Sequence, residues 1–316
     1  MRRPSRLGRA IAGALLAVLA VPIVPAAPAY ATGNGRWSVA PTPPRQSSAA
    51  PRVYFFLESP PGQTVIDSVR VTNHTDKPLA FQLYPADAFN TVADGGFGLL
   101  AADQTQHGIG AWTRLSAGTV VLPAGGSADV AFTVTVPANA PPGDHVGGVV
   151  AAEAVPSGRT GAGADVAVRQ AVGARLYLRV SGTAVPGLAV SDLTANRREL
   201  AYSVANTGNV HLAPAIDIRS SGLFGHAVRH GTPAQLDLIP GARSRLRAAL
   251  SGVWPVDVVT TTVTLTADGG VRGQASTTTL VGVWPAIGVV IVLVAGTGWL
   301  LHRRRRARRL RPRRLA

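Results

Sequence analysis

The chain has no cysteine among its 316 residues. This excludes a disulfide framework, a lipid anchor on a cysteine thiol, and thiolate metal or nucleophile chemistry. Any folded part must therefore rest on its hydrophobic cores. Acids are scarce, with 16 Asp and Glu against 31 Lys and Arg, for a net charge of +15. That excess sits at the two ends. Arg2, Arg3, Arg6 and Arg9 open the chain, nine arginines lie between Arg303 and Arg314, and neither segment holds an acid. Thr32–His302 is left with +2, too near neutrality for a nucleic-acid binder, which needs a basic face to displace counterions. No nucleic-acid partner is expected, and the arginine tail reads as an orientation signal in contact with anionic lipid.

Catalytic signatures are missing as well. There is no Gly-x-Ser-x-Gly elbow, and Gly161-Ala162-Gly163 lacks the third glycine and following helix of a dinucleotide loop. His226 and His230 are four apart in a Gly-rich stretch read as a loop, with no carboxylate to complete a metal set. No enzyme activity, cofactor or metal is expected. An L-P-x-T-G sorting signal is absent ahead of the last apolar run, so the protein should stay in the membrane rather than pass to the wall.

What is present begins with a charge-free run, Leu280–Leu301. At ~1.5 Å per residue a helix of this length reaches ~33 Å, enough to cross a hydrocarbon core of ~30 Å. Trp284 and Trp299 stand near its ends, and the arginines of 302–316 follow as a cytoplasmic tail. Everything before the run should face outward. At the other end, 1–31 reads as a secretory signal peptide: a charged start, an apolar Ala10–Val24, and an Ala29-Tyr30-Ala31 cleavage site. Residues 32–50, rich in Pro, Ser and Ala, read as a disordered linker.

Between these lie short alternating segments without helical period. Arg52–Glu58, Thr64–Asn73, Leu79–Leu83, Thr119–Leu122 and Ser127–Val136 read as strands. His145–Val155 and Asp165–Val180 read as a hairpin. Val65, Val69 and Val71 form one inward set, and Val130, Phe132, Val134 and Val136 another. The pattern restarts after Pro186 with Leu188–Leu193, Glu199–Ala205, Ala213–Ile218, Gln235–Leu238, Arg243–Leu250, Val256–Thr266 and Val271–Thr279. The fold class is all-β: two tandem Ig-like β-sandwiches, 51–182 and 183–279, plus one C-terminal transmembrane helix. Asn73–Ala80 and Asn206–Ala213 carry a related N-x-T/G theme, in keeping with two related sandwiches. The long connection Asn90–Ala111 is either a binding element or an insertion, with Phe97, Leu99 and Leu100 able to pack back on the sandwich.

Residues 50–180 carry a series of landmarks. Pro61-Gly62 follows the first strand, Pro85-Ala86-Asp87-Ala88-Phe89 precedes Gly95-Gly96, and Trp112 with Leu115 precedes Val121-Leu122-Pro123-Ala124-Gly125. Val134-Thr135-Val136-Pro137 then leads to Ala140-Pro141-Pro142-Gly143-Asp144-His145-Val146-Gly147-Gly148-Val149. With these the segment resembles the peptidoglycan-binding domain of the WxL-interacting proteins of Gram-positive bacteria. The glycines of the last run suit a tight turn into a strand that a neighbour approaches closely. The resemblance implies attachment to peptidoglycan or another wall polymer by a membrane-anchored surface protein. It carries over no binding residues. Sugar binding needs polar loop groups and an aromatic face, for which Tyr84, Asp87, Asn90, Trp112, Asp144 and His145 are the candidates; each also has a structural reading, Trp112 as a core anchor. The alternative is a protein-binding scaffold or assembly chaperone that takes a secreted or surface partner along a sheet edge.

Overall fold

The computed structural model describes residues 33–44, 52–155, 169–223, 225, 227–230, 236–252 and 256–309. The expected signal peptide, His226 and the tip of the expected hairpin lie outside them.

The first sandwich opens with β1 (Trp37–Pro41), β2 (Phe55–Ser59), β3 (Thr64–Asn73), β4 (Leu79–Asn90) and β5 (Phe97–Leu99). A one-turn helix α1 (Ile109–Trp112) runs into β6 (Thr113–Leu115), followed by β7 (Thr119–Leu122), β8 (Ser127–Thr135), β9 (Gly143–Glu153) and β10 (Ala171–Val180). One sheet has the order β1-β3-β8-β6. The other has the order β2-β10-β9-β4-β5, with β7 also on β4. The alternation read from sequence places the core correctly. Val69, Val71, Val130, Phe132, Val134 and Val136 are buried, Val65 of the expected inward set is only half-buried, and Phe132 meets Phe55 edge-on at 5.0 Å.

The disordered linker expected over 32–50 is corrected in part. Trp37–Pro41 is a strand, paired with β3 from Trp37↔Asn73 to Pro41↔Val69, and Trp37 and Val39 are fully buried. The segment is only five residues long and ends in Pro41, which a strand at a sheet edge tolerates. Its three inward residues, the last of them Pro41, are too few to stand out as a period.

The hairpin of β9 and β10 pairs from Gly143↔Val180 to Ala152↔Ala171. The glycines of β9 serve close approach, as expected. A Cβ on Gly147 would come within 2.4 Å of the Ala86 carbonyl oxygen, and one on Gly148 within 2.7 Å of Leu99. Asn90–Ala111 is therefore no free loop: β5 pairs with β4 from Ala88↔Leu99 to Asn90↔Phe97, and Leu99 lies over both Gly148 and Gly173.

The second sandwich comprises β11 (Leu188–Ala195), β12 (Glu199–Asn206), β13 (Ala215–Gly222), β14 (Ala227–His230), β15 (Arg243–Ala249), β16 (Asp257–Thr266) and β17 (Arg272–Val281). Its sheets are β11-β12-β15 and β14-β13-β16-β17, around Leu200, Tyr202, Val204, Ile218, Leu238, Val263 and Leu265. Two expectations change. His230 is not in a loop: it ends β14, buried, with Nε2 2.8 Å from the Ser220 hydroxyl. The strand expected at Gln235–Leu238 is only a bridge of Leu238 to Leu212. The Tyr202 hydroxyl is buried without a hydrogen-bond partner among the described residues, and burial pushes the phenol up to about 12. Tyr202→Phe should accordingly leave stability unchanged or raise it by about 1 kcal/mol in urea titration, since it removes an unpaired buried polar group and no contact.

The related N-x-T/G segments share one geometry. Asn73 Nδ2 donates to the carbonyls of Lys77 and Pro123, and its Oδ1 accepts from the Thr75 N–H. Asn206 Nδ2 donates to Val210 and Leu238, and its Oδ1 accepts from Gly208 N–H. Each buried asparagine thus ties its own turn to a distant segment of its sandwich.

The last helix, α2 (Val283–Arg309), begins later than expected from the apolar run. Leu280 and Val281 complete β17, paired with Val258 and Asp257, and Gly282 at φ 74° turns the chain from strand to helix. An apolar strand end followed at once by an apolar helix reads as one run. Residues Ile287–Arg306 are long and apolar enough to cross a membrane, and none of that stretch is buried against protein.

Candidate functional site

Of the six candidate residues, three are used up in holding the structure together. Asp87 accepts the N–H groups of His107, Gly108 and Gly110, and so fixes the start of α1. Asn90 bridges the sandwiches: Nδ2 donates to the carbonyls of Gly95 and Asp237, and Oδ1 accepts from Ile239 N–H. Asp144 is the centre of the joint. Its carboxylate, 2% exposed, receives Arg179 through Nε at 2.7 Å and Nη2 at 2.9 Å. It also receives the His211 N–H at 2.9 Å and faces His211 Nδ1 at 2.8 Å. Burial pushes this carboxyl up, but the hydrogen bonds from His211 and Arg179 outweigh it and hold the group well below the usual carboxylate range.

The remainder of the joint is backbone-rich. Asp144 N–H donates to the Asn209 carbonyl. Asn209 Nδ2 donates to Pro142 and Thr183, and Arg245 N–H donates to the Val92 carbonyl. A Cβ on Gly143 would lie 2.2 Å from the Asn209 carbonyl oxygen, so only glycine fits there. The long connection after Asn90 is thus neither a free binding loop nor a plain insertion; its first part is a strut between sandwiches. Trp112 packs against the core and against the His145 ring at 4.6 Å, and His145 Nε2 bonds the Pro141 carbonyl. Asp87, Asp144 and His145 do come together, lining a 400 Å³ hollow at the joint, but the carboxylates face inward bonds.

None of the six candidates lines the main groove, which is built of residues that sequence reasoning passed over; Tyr84 lines only the smaller hollows that continue from it. A cleft of about 940 Å³ between the sandwiches is lined by Tyr54, Phe56, Phe97, Arg175, Tyr177 and Asp237, among others. Phe56 stacks on Tyr177 at 5.2 Å and 12°, and Tyr54 meets Tyr177 edge-on at 6.0 Å. Arg175 lies 4.0 Å over the Phe97 ring and donates to Asp237 at 2.9 Å, where Tyr177 also donates at 2.6 Å. Burial pushes the Tyr177 phenol up, and its bond to Asp237 adds to the shift. The cleft continues along β10. A hollow lined by Phe97, Arg175, Gly173 and Tyr84 leads to one lined by Tyr84, Ala171, Asp103 and Arg169. From Tyr177 to Arg169 the path measures about 26 Å at ~3.3 Å per residue.

Among the described residues, the backbone beside this path is strand-paired on one side only. On its outer side β10 pairs with β2 only over Leu176–Val180. Among the described residues no strand pairs with that edge over Ala171–Arg175.

No protein-family model and no curated protein matches the chain. Solved structures do. One is the CsuC–CsuE chaperone–tip adhesion subunit pre-assembly complex of Acinetobacter baumannii, with 12% identity over 71% of this chain and 94% of that chain, TM-score 0.41. Another is the YadV chaperone, with 10% identity over 77% and 100%, TM-score 0.39. A third is the Salmonella enterica SafA pilin in complex with the SafB chaperone, with 12% identity over 78% and 96%, TM-score 0.38. Likeness at this level carries no partner or activity over to this chain.

Proposed function

We propose that the chain is a membrane-anchored binding protein, not an enzyme, which takes an extended polypeptide segment along the open half of β10. The observation that carries this reading is that, among the described residues, no strand pairs with the outer edge over Ala171–Arg175 beside the groove. An exposed edge offers N–H and C=O groups at strand spacing, which only another polypeptide backbone matches in full. Side chains of the added strand would enter the aromatic cleft, with the Phe56–Tyr177 stack at one end and Tyr84 toward the other. Arg175 and Asp237, already paired, form a polar floor that favours an apolar or neutral residue over a charged one.

A wall polymer is the second reading. Phe56 is 65% exposed on top of Tyr177, a ring platform of the kind on which sugar faces stack, and the resemblance of residues 50–180 to a peptidoglycan-binding domain points the same way. The test places a photo-crosslinking residue at Ala171 or Phe56 in the full chain, in cells, with Ile66 on the opposite sheet as control. Discrete protein adducts at 171 and 56 but not at 66 are expected. Pelleting of the detergent-solubilised chain with purified sacculi, without any protein adduct, would replace the first reading by the second.

A further inference from the structure

We propose that the end of the second sandwich from which α2 departs is a lipid-binding surface, sunk into the boundary of the membrane that α2 crosses. This rests on reading α2 as a membrane span. Three large apolar side chains are exposed at that end: Leu223 (71%), Val256 (45%) and Leu280 (66%). The register places them together. Leu280 pairs with Val258, and the Leu223 N–H donates to the Val258 carbonyl from the other side. Leu223 and Leu280 are thus separated by two strand spacings, about 10 Å, with Val256 just before the strand between them. Only Gly282 separates β17 from α2, and Trp284, 83% exposed, is in the first turn of that helix. A bilayer around α2 therefore lies directly against this end of the sandwich, whatever the tilt of the helix.

Charge complements the apolar patch. The turn between β11 and β12 is at the same end, because the Thr279 hydroxyl bonds the Ala195 carbonyl and the Leu250 N–H bonds the Arg198 carbonyl. It presents Arg197 and Arg198, both exposed and, among the described residues, without a carboxylate partner. Apolar tips beside cationic side chains are the composition of a surface that rests on anionic lipid, with the apolar groups below the headgroups and the arginines among them. The opposite end of the same sandwich is unlike it: there Asn209 and His211 contact the first sandwich, and the β16–β17 turn is Asp268-Gly269-Gly270.

The absence of cysteine makes the test direct. Single cysteines at 223, 256 and 280 of the full chain carry a nitroxide in liposomes of phosphatidylcholine with phosphatidylglycerol, with Asp268→Cys and Val292→Cys as references. Collision with a water-soluble nickel chelate should be lower at 223 and 256 by about threefold or more than at 268, as for groups in the ~5–10 Å boundary layer. It should rise again in Arg197→Ser/Arg198→Ser. Chelate access at 223 and 256 equal to that at 268, with 292 protected, overturns the proposal while leaving the span intact. Free chelate access at 292 overturns the span and the proposal together. Shielding at 223 and 256 that ignores the arginine substitutions removes the cationic part and keeps the apolar one.

Discussion

Asp144→Ala should loosen the joint between the two sandwiches and weaken the first of them. The substitution removes both bonds from Arg179 and leaves the His211 N–H without its acceptor. Losing one partner of a buried pair costs about 3–5 kcal/mol; because Arg179 is 46% exposed, about 2–4 kcal/mol is expected, and it falls on the first sandwich, where Arg179 faces Asp144 across β9 and β10, while the joint loses the two bonds to His211. Calorimetry of the two sandwiches should show one transition for the unaltered chain and two for the variant, with amide exchange rising first at His211 and Arg245. A single transition at an unchanged temperature would mean that the backbone bonds of the joint suffice alone. Acid should mimic the substitution. The Asp144 carboxyl is held below its unfolded value, so its contribution is complete above the unfolded pKa of ~3.9 and is lost as pH falls through the folded value. In the unaltered chain, splitting of the transition is therefore expected only in strongly acidic solution, whereas in Asp144→Ala it is present without acid.

Asn206→Ala should be the more damaging change for folding as such. It strips the donor from two buried carbonyls, Val210 and Leu238, and the acceptor from Gly208 N–H. Three bonds at about 1–1.5 kcal/mol each give about 3–4.5 kcal/mol, a large share of the ~5–15 kcal/mol by which domains are stable. Asn73→Ala should cost the first sandwich a similar amount, for the same three kinds of bond. Urea unfolding followed by tryptophan fluorescence should assign the Asn73 loss to the first sandwich through Trp37. An effect below about 1 kcal/mol at either position would mean that the turn holds its shape without the side chain.

The sandwiches were legible because alternation is a local signal. Val130, Phe132, Val134 and Val136 declare a buried face within seven residues, and the structure buries all four. The joint was not legible, because its partners are far apart in the chain. Asn90 and Ile239 are 149 residues apart, and Asp144 and His211 67. A polar residue in a turn looks the same whether it waits for a ligand or closes on its own protein, which is why Asp87, Asn90 and Asp144 were candidates. The groove did leave a trace. In Arg52–Glu58 three aromatics are consecutive, and a strand must send Phe55 one way and Tyr54 with Phe56 the other. Phe55 fills the core, so the outward pair needed a purpose, but nothing local says that Tyr177 would stack on it.

The direct passage of β17 into α2 also has a mechanical consequence. On the proposed reading of α2 as a membrane span and of the sandwiches as a binding unit, a pull on a held partner reaches the membrane through β17. That strand lies antiparallel to β16 over ten register pairs, from Asp257↔Val281 to Thr266↔Arg272. Force enters at Val281 along the strand, perpendicular to its interstrand hydrogen bonds. The ladder is therefore loaded in shear, with many bonds sharing the strain, instead of being peeled open one at a time. The second sandwich is in this sense a clamp on its own anchor, and Gly282 the swivel between them.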